Sequence, residues 1–263
     1  MIKLFKIVMY KYLKPLLRNT LLFDGIWYVR KHYHLFVMDK MGKGLTYDKI
    51  TLKIVQSLQP DTNCIDVGCN KGEILSWIID LCPKGTHFAF EPFTELYTKL
   101  KTKHPHVNIF NIAVSNETNI ATFYEVTSQS AYSGLHNRVG IESGHEVISK
   151  TVQKDTLDNI IPTNIKIGFI KIDVEGGEYD VILGAKNLID RCKPIVIFEF
   201  EKSAGDFYNV NPLNTYNFIC NDLNYKLSTL SCWISDSKEN LSIESFVNLY
   251  NTEKEFYFIA FPK

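Results

Sequence analysis

The chain has 263 residues, 45% of them hydrophobic, and its 29 Lys and Arg residues balance its 29 Asp and Glu residues, so the formal net charge is zero. This length fits one α/β domain with additions, and the hydrophobic share is enough for a buried core. The lack of a basic surplus argues against nucleic acid as a partner. No apolar run approaches the roughly 18–20 residues that a membrane-spanning helix needs.

Residues 1–50 are predicted to form an N-terminal helical extension. Within residues 1–23, five side chains are basic and none is acidic, and apolar residues recur at helical spacing. Two interpretations stay open. The helix packs on the domain or on a second subunit of a homo-oligomer, or it makes a peripheral contact with an anionic membrane. We predict a cytoplasmic protein, which under the second interpretation would lie at the inner membrane surface.

The cysteines also favour a cytoplasmic location. They show no C-x-x-C spacing and several lie in apolar runs, which predicts reduced, buried thiols rather than disulfides or metal ligands. The six are Cys64, Cys69, Cys82, Cys192, Cys220 and Cys232.

The domain predicted for residues 51–263 is organised around the segment C-I-D-V-G-C-N-K-G at 64–72. A short apolar strand carries Asp66, a loop lies between Gly68 and Gly72, and a helix follows. Strand, glycine loop and helix are typical of the first unit of a doubly wound α/β fold, which binds ligands at the carboxyl end of the strand. Glycine permits a sharp turn and a close ligand, and the free amides of the loop favour a polar or carboxylate group.

A second acid ends the next predicted strand. The segment H-F-A-F-E-P at 87–92 ends in Glu91, and Pro92 stops the strand because proline has no amide hydrogen to donate. Glu91 lies about 20–25 residues beyond the glycine loop, where this fold places the acid that binds ribose hydroxyls. Together, the loop and this acid predict a nucleoside-type cofactor.

Residues 107–114 are predicted to form a third strand, and the alternation of strands and helices indicates a parallel sheet with right-handed crossovers. An antiparallel strand is predicted at 120–126, and the next ordered segment is expected to begin at Thr151. The intervening residues, about 127–150, are polar and glycine-rich, so they are interpreted as a substrate lid or as a disordered surface loop. The candidate substrate contacts in the lid are Tyr132, Ser133, His136 and Arg138.

The next core strand, 165–172, leads into K-I-D-V-E-G-G-E-Y-D. Bunched carboxylates are costly unless they bind something or are solvated, so Asp173 and Glu175 are assigned to the site. Glu178 is instead predicted to begin a helix and complement its dipole. A continuous apolar strand at 194–200 carries Glu199 as a further substrate candidate, and two late strands complete the sheet as an antiparallel pair.

These motifs resemble those of a known family. D-V-G-x-N-x-G, F-x-F-E-P, N-I-A-V-S and I-K-I-D-V-E-G-G-E-Y-x-V-I-L-G-A, within about residues 60–205, are similar to the FkbM family of S-adenosylmethionine-dependent methyltransferases. The resemblance implies a doubly wound, mostly parallel seven-stranded α/β sheet, the Rossmann-like class I methyltransferase fold. The family mostly methylates hydroxyl oxygens of sugars, lipid-linked glycans and secondary metabolites. Cys69 and Lys71 depart from its loop pattern.

The resemblance also implies S-adenosyl-L-methionine as the cofactor and assigns residues to it. Its methionine part is assigned to Asp66, Gly68, Asn70 and Gly72 with Cys69 in the same loop, its ribose to Glu91 beside Pro92, and its adenine to the segment from Asn111 to Ala113. Asp173 and Glu175 are expected to face the transferred methyl group. One of these two carboxylates is the expected base, with His136 as the alternative if the lid closes. No metal ion is predicted.

Other functions are left open. A nicotinamide (NAD-type) oxidoreductase shares the fold and the ribose acid, although it would use G-x-G-x-x-G, and this loop has only the first and last of those glycines. A non-catalytic glycan-binding or scaffolding protein would keep the fold without turnover. The sequence does not distinguish a small-molecule acceptor from a glycan.

Overall fold

The computed structural model describes residues 46–138, 144–235 and 239–263. The predicted N-terminal extension, including the membrane or subunit contact of residues 1–23, lies outside these residues except for a helix that begins at Thr46. None of the helices among the described residues is both long and apolar enough to cross a membrane.

Helices and strands alternate from Thr46 to Phe110. The helices are α1 Thr46–Ser57, α2 Glu73–Leu81, α3 Thr94–Lys103, α4 Leu157–Ile160, α5 Glu178–Leu183, α6 Lys186–Cys192, α7 Lys202–Gly205, α8 Pro212–Asn217, α9 Leu230–Ile234 and α10 Ile243–Asn251. The strands are β1 Asn63–Val67, β2 His87–Phe90, β3 Asn108–Phe110, β4 Ile112–Val114, β5 Asn119–Val126, β6 Val147–Asp155, β7 Ile167–Ile172, β8 Ile195–Glu199, β9 Tyr225–Thr229 and β10 Tyr257–Pro262.

Seven of the strands form one sheet in the order β3-β2-β1-β7-β8-β10-β9. The first five are parallel, and β10 runs antiparallel to both of its neighbours. This confirms the predicted doubly wound, mostly parallel fold. The strand order reverses between β1 and β7, and ligands bind at such a switch point in open α/β sheets.

Both faces of this sheet are covered, as the continuous apolar strands require. One face packs against α4, α5, α6 and α10, and the opposite face packs against α1, α2 and α9. Five of the six cysteines are buried, Cys232 is half-buried and all six are free thiols. Burial raises the pKa of the Cys69 thiol well above its ordinary value, so this residue is a small space-filling side chain of the loop rather than a reactive one.

A separate three-stranded sheet, in the order β4-β6-β5, lies beside the main one. The single strand predicted at 107–114 was therefore wrong, because the chain leaves the main sheet at Asn111. The Asn111 side-chain amide donates to the carbonyl oxygens of Glu91 and Pro92, at 2.8 and 2.9 Å. These bonds tie the break between β3 and β4 to the end of β2.

One smaller expectation also differs from the structure. The strand that follows the predicted lid, β6, begins at Val147 rather than at Thr151, because it pairs along the whole of β5.

Candidate active site

The loop after β1 is shaped by two glycines with positive φ. A Cβ atom on Gly68, at φ +74°, would lie 1.7 Å from the backbone oxygen of Asp173, and one on Gly72, at φ +75°, would lie 2.3 Å from a methyl carbon of Leu100. The Gly68 amide donates to the Phe90 carbonyl oxygen at 3.0 Å. The loop therefore fits tightly between the ends of β2 and β7, which only glycine permits.

Glu91 holds this loop from the neighbouring strand. Its carboxylate accepts hydrogen bonds from the backbone amides of Asn70 at 2.6 Å and of Phe93 at 2.9 Å. The side chain is buried, and burial raises its pKa to about 7 even though the two amides favour the charged form. The acid assigned to ribose is thus also a structural partner of the loop.

Asp66 lies beneath the loop and is 1% exposed. Neither of its carboxylate oxygens forms a hydrogen bond within the part of the chain that the structure describes. Burial raises its pKa to about 6, and the positive charge of Lys171 on the adjacent strand limits that rise. A buried acid that lacks a close donor is costly, and the charge of Lys171 offsets part of that cost.

One cavity of about 710 Å³ joins this loop to the carboxyl ends of β7 and β8. Its wall contains ten of the predicted site residues, namely Gly68, Cys69, Asn70, Glu91, Pro92, Ala113, Ser133, Asp173, Glu175 and Glu199. Asp66, Gly72 and Asn111 lie behind the wall, where they hold its loops in place.

Asp173 follows β7 and is held by two donors. The Lys171 ammonium donates to its Oδ2 atom at 2.8 Å, and the Tyr257 hydroxyl donates to the same oxygen at 2.9 Å. Burial alone would raise the pKa of Asp173, but the charge and hydrogen bond of Lys171, with bonds from Glu199 and Tyr257, lower it below its ordinary value. Asp173 is therefore an ionised acceptor and a weak base.

Glu175 differs from Asp173 in both conformation and charge. Its backbone is in the left-handed region at φ +64°, and Arg138 donates to its Oε2 atom at 2.5 Å. Burial and the negative charge of Asp173 raise its pKa to about 8, against the opposing charge of Arg138. Glu175 therefore changes protonation state near neutral pH, as a general base should.

The turn that presents Glu175 is fixed from below by Glu178. This buried carboxylate accepts hydrogen bonds from the amides of Val174 at 2.9 Å and Gly176 at 3.1 Å. It is also the first residue of α5, which agrees with the predicted structural role at a helix start.

Glu199 completes a cluster of three carboxylates. One oxygen each of Asp173, Glu175 and Glu199 lies within 4.8 Å of the others. Burial and the charges of neighbouring carboxylates raise the pKa of Glu199 well above its ordinary value, so it is protonated and shares a hydrogen bond with Asp173. Three such oxygens could hold a divalent cation, but Lys171 and Arg138 already supply positive charge there, and the absence of a metal stays a prediction.

The four candidate contacts of the predicted lid differ in their position relative to the cavity. Ser133 lines the cavity, and its hydroxyl accepts a bond from the Val126 amide at 2.9 Å. Arg138 is committed to Glu175, whereas Tyr132 is 44% exposed and outside the cavity wall. His136 is exposed and packs edge-on against Tyr208, so it does not face the cavity in this conformation. Residues 139–143 of the predicted lid lie outside the described chain.

Several cavity residues were missed from the sequence. They are Asp48 on α1, Ser130 in the lid, Tyr208 after α7 and Tyr257 on β10. The Ser130 hydroxyl donates to the Asn70 side-chain oxygen at 2.9 Å, which links the lid to the loop. No local motif marks these four positions, because each reaches the cavity only through the fold.

The sheet order is that of the Rossmann-like class I methyltransferase fold. A family model described as the methyltransferase FkbM domain matches residues 66–227. The match covers more than half of the chain, which therefore belongs to the FkbM methyltransferase family, as its motifs predicted.

Individual relatives are more distant. The chain is 24% identical over 186 residues to the AMB antimetabolite synthetase AmbE of Pseudomonas aeruginosa, a match covering 56% of this chain and 9% of that protein. It is 33% identical over 82 residues to ribosomal RNA small subunit methyltransferase A of Prosthecochloris aestuarii, covering 30% and 31%. The chain thus spans less than a third of the length of either curated relative.

Among solved structures, the methyltransferase FkbM of Methylobacillus flagellatus aligns with a TM-score of 0.47 at 14% identity. The alignment covers 78% of this chain and 45% of that one. A domain described as StiE O-MT aligns with a TM-score of 0.43 at 10% identity, covering 86% and 78%.

Proposed function

We propose that the protein is an S-adenosyl-L-methionine-dependent O-methyltransferase that acts on a hydroxyl group of a small-molecule or glycan acceptor. The observation that carries the proposal is the cavity that joins the glycine loop and Glu91 to the carboxylates after β7 and β8. A cofactor end and a proton-accepting end share this space, as transfer between two bound partners requires.

The residues at the cofactor end fit S-adenosylmethionine. Gly68, Cys69 and Asn70 bring the backbone of the glycine loop to the cavity wall, and Glu91 lies where this fold binds ribose hydroxyls. The cofactor supplies a methyl group on a good leaving group, so the protein mainly positions the partners and excludes water.

At the other end, the acceptor hydroxyl needs a group that takes its proton. Glu175, with a pKa of about 8, is the better base, because Asp173 is held ionised by two donors. Glu175 would take up the proton of the acceptor hydroxyl as its oxygen receives the methyl group, and the bond from that carbon to the sulfur of the bound cofactor would break to leave S-adenosylhomocysteine. Carboxylates and hydroxyl donors around this end suit an acceptor with several hydroxyl groups.

Isothermal calorimetry with S-adenosylmethionine and with NAD tests the cofactor first. We expect micromolar binding of the former and none of the latter; the reverse result would make the protein an oxidoreductase. Binding followed by no methyl transfer to a panel of sugars, glycans and hydroxylated metabolites would favour a non-catalytic binding protein.

The assignment of the base is tested by Glu175→Gln. Because general-base catalysis contributes roughly 10²–10⁴-fold, turnover should fall by that factor while the Kd for S-adenosylmethionine changes little. Asp173→Asn is the comparison: it should lower turnover more than cofactor binding, and it should move the pH dependence of turnover to lower pH, because it removes a negative charge that raises the pKa of Glu175. Unchanged turnover in Glu175→Gln would remove this residue from the role.

A further inference from the structure

The carboxyl edge of the main sheet carries a row of three polar side chains from neighbouring strands. β7 and β8 pair up to Ile172 and Phe198, so Asp173 and Glu199 follow side by side, and Tyr257 on β10 pairs directly with Glu199. Tyr257 reaches past Glu199 and donates to Asp173 at 2.9 Å, across 84 positions of sequence. It lies outside residues 66–227, where the family model matches.

The Tyr257 ring is itself held in place. It packs against the Tyr47 ring of α1, with the ring centres 4.9 Å apart, and it lines the cavity beside Glu199. Burial and the charge of Asp173 raise the pKa of the Tyr257 hydroxyl far above its ordinary value, so the hydroxyl keeps its proton and remains a donor. A fixed ring and a permanent donor make the hydrogen bond to Asp173 directional.

Asp173 lies among many other charges. Seven titratable groups act on its carboxylate. They are Lys171 on β7, Asp66 on the neighbouring β1, Glu199 on β8, Tyr257 on β10, Asp48 on α1, and Glu175 and Glu178 in the turn after β7. Most of them are acids and would drive Asp173 to take up a proton. Lys171 and Tyr257 are the two donors that oppose this effect at hydrogen-bonding distance.

We propose that Tyr257 is a positioning residue of the methyl-transfer site, which, with Lys171, holds the Asp173 carboxylate as a fixed anion facing the sulfonium of the cofactor. The proposal rests on the function proposed above. A fixed anion favours the cationic S-adenosylmethionine over the uncharged product S-adenosylhomocysteine, because two charges a few ångströms apart in a partly buried site attract strongly. Tyr257 would therefore help to release the product.

The test is Tyr257→Phe, which keeps the ring against Tyr47 and removes only the hydroxyl. Tyr225→Phe is the matched control, since the Tyr225 hydroxyl is also buried and donates at 2.9 Å, but to the Pro194 carbonyl oxygen away from the cavity. Calorimetry gives the Kd of S-adenosylmethionine and of S-adenosylhomocysteine for each protein. Carbon-13 NMR of labelled aspartate carboxyls follows the titration of Asp173, whose signal is assigned by its loss in Asp173→Asn.

We expect Tyr257→Phe to reduce the preference for S-adenosylmethionine over S-adenosylhomocysteine by about threefold to tenfold, which is roughly 0.6–1.4 kcal/mol. We also expect the Asp173 titration to move to higher pH, with both readouts unchanged in Tyr225→Phe. A Tyr257→Phe protein that matches the control in both readouts overturns the proposal.

Failure of the proposed function would look different. A wild-type protein that binds neither ligand contradicts the methyltransferase proposal and the sulfonium-facing role together. A wild-type protein that binds both ligands equally, with the Asp173 signal shifted by Tyr257→Phe, contradicts the sulfonium-facing role alone.

Discussion

The two ends of the cavity are built in different ways. The proposed cofactor end comes mainly from the stretch from Val67 to Phe93, with Ala113 added from β4, and much of its shape is backbone: two glycine turns and amides that bind Glu91. The acceptor end consists of side chains from α1, the lid, β7, β8 and β10. The first end is set by local backbone geometry and the second by assembly of the whole fold, so substitutions at the two ends should have separable effects.

Gly68→Ala should give the largest effect, because Gly68 is where the two ends touch. The new Cβ would lie 1.7 Å from the Asp173 backbone oxygen at a φ of +74°. We expect the Kd for S-adenosylmethionine to rise by more than about 100-fold and the melting temperature to fall, since the Asp173 backbone can shift only at a large cost in free energy. Calorimetry and thermal unfolding measure both.

Gly144→Ala is the matched control for that change. Gly144 has nearly the same φ, +71°, but nothing lies within 4 Å of the position that its Cβ would take, so only the conformational cost applies. Equal losses in the two variants would show that φ strain, and not contact between the two ends, explains the result.

Glu91→Gln should affect the cofactor end alone. The neutral amide oxygen is a weaker acceptor for the Asn70 and Phe93 amides, and its NH₂ group cannot accept. We expect the Kd for S-adenosylmethionine to rise about 10–100-fold, as loss of a charge-assisted hydrogen bond predicts. Glu117→Gln, at an exposed residue that pairs with Lys154 and does not line the cavity, should leave the Kd unchanged; an effect of equal size there would contradict a specific role for Glu91.

The buried acids should make stability depend on pH. In the folded protein, the pKa values of Asp66, Glu91, Glu178 and Glu175 are raised to about 6, 7, 7 and 8, whereas unfolded values are about 4. The folded state then binds more protons than the unfolded state, so this stability is fully present below about pH 4 and is lost as the pH rises through about 6–8.

We therefore expect cofactor-free protein to melt roughly 5 °C or more higher at about pH 5 than at about pH 8.5, since each kcal/mol shifts a domain of this size by roughly 2–4 °C. Differential scanning calorimetry measures the shift, and Glu91→Gln should reduce it. A higher melting temperature at the alkaline end would show that the acids are ionised and paired in the folded protein.

The smallest effect is expected where the lid meets the loop. Ser130→Ala removes the hydroxyl that donates to Asn70 and should raise the Kd for S-adenosylmethionine only about twofold to fivefold, as for one partly exposed hydrogen bond. Ser235→Ala is the control, because the exposed Ser235 hydroxyl donates to the Cys232 carbonyl oxygen at 3.0 Å and does not line the cavity. Stopped-flow measurements should show the change as faster cofactor release; a change of equal size in the control would argue against a lid.

The same contrast explains what could be predicted from the sequence. The alternation of strands and helices, the glycine turns and the position of Glu91 at the end of β2 were predictable because periodicity and short motifs report local structure. The family match confirms the resemblance found in those motifs. Tyr257 was not predictable, because it reaches Asp173 only after β10 inserts between β8 and β9.

The roles within the acid cluster were equally hidden. Asp173 and Glu175 look alike in the motif, but two donors hold one ionised while burial and a neighbouring charge raise the pKa of the other. The break at Asn111 was hidden for a related reason, since its side chain bonds to carbonyl groups about 20 positions earlier in the chain.

That break has a mechanical consequence. Because the chain changes sheets at Asn111, Ala113 on the expected adenine wall is hydrogen-bonded through β6 to β5, and β5 leads directly into the segment that carries Ser130. The cavity wall at Ala113 and the strand that leads into Ser130 thus belong to one continuous hydrogen-bonded sheet.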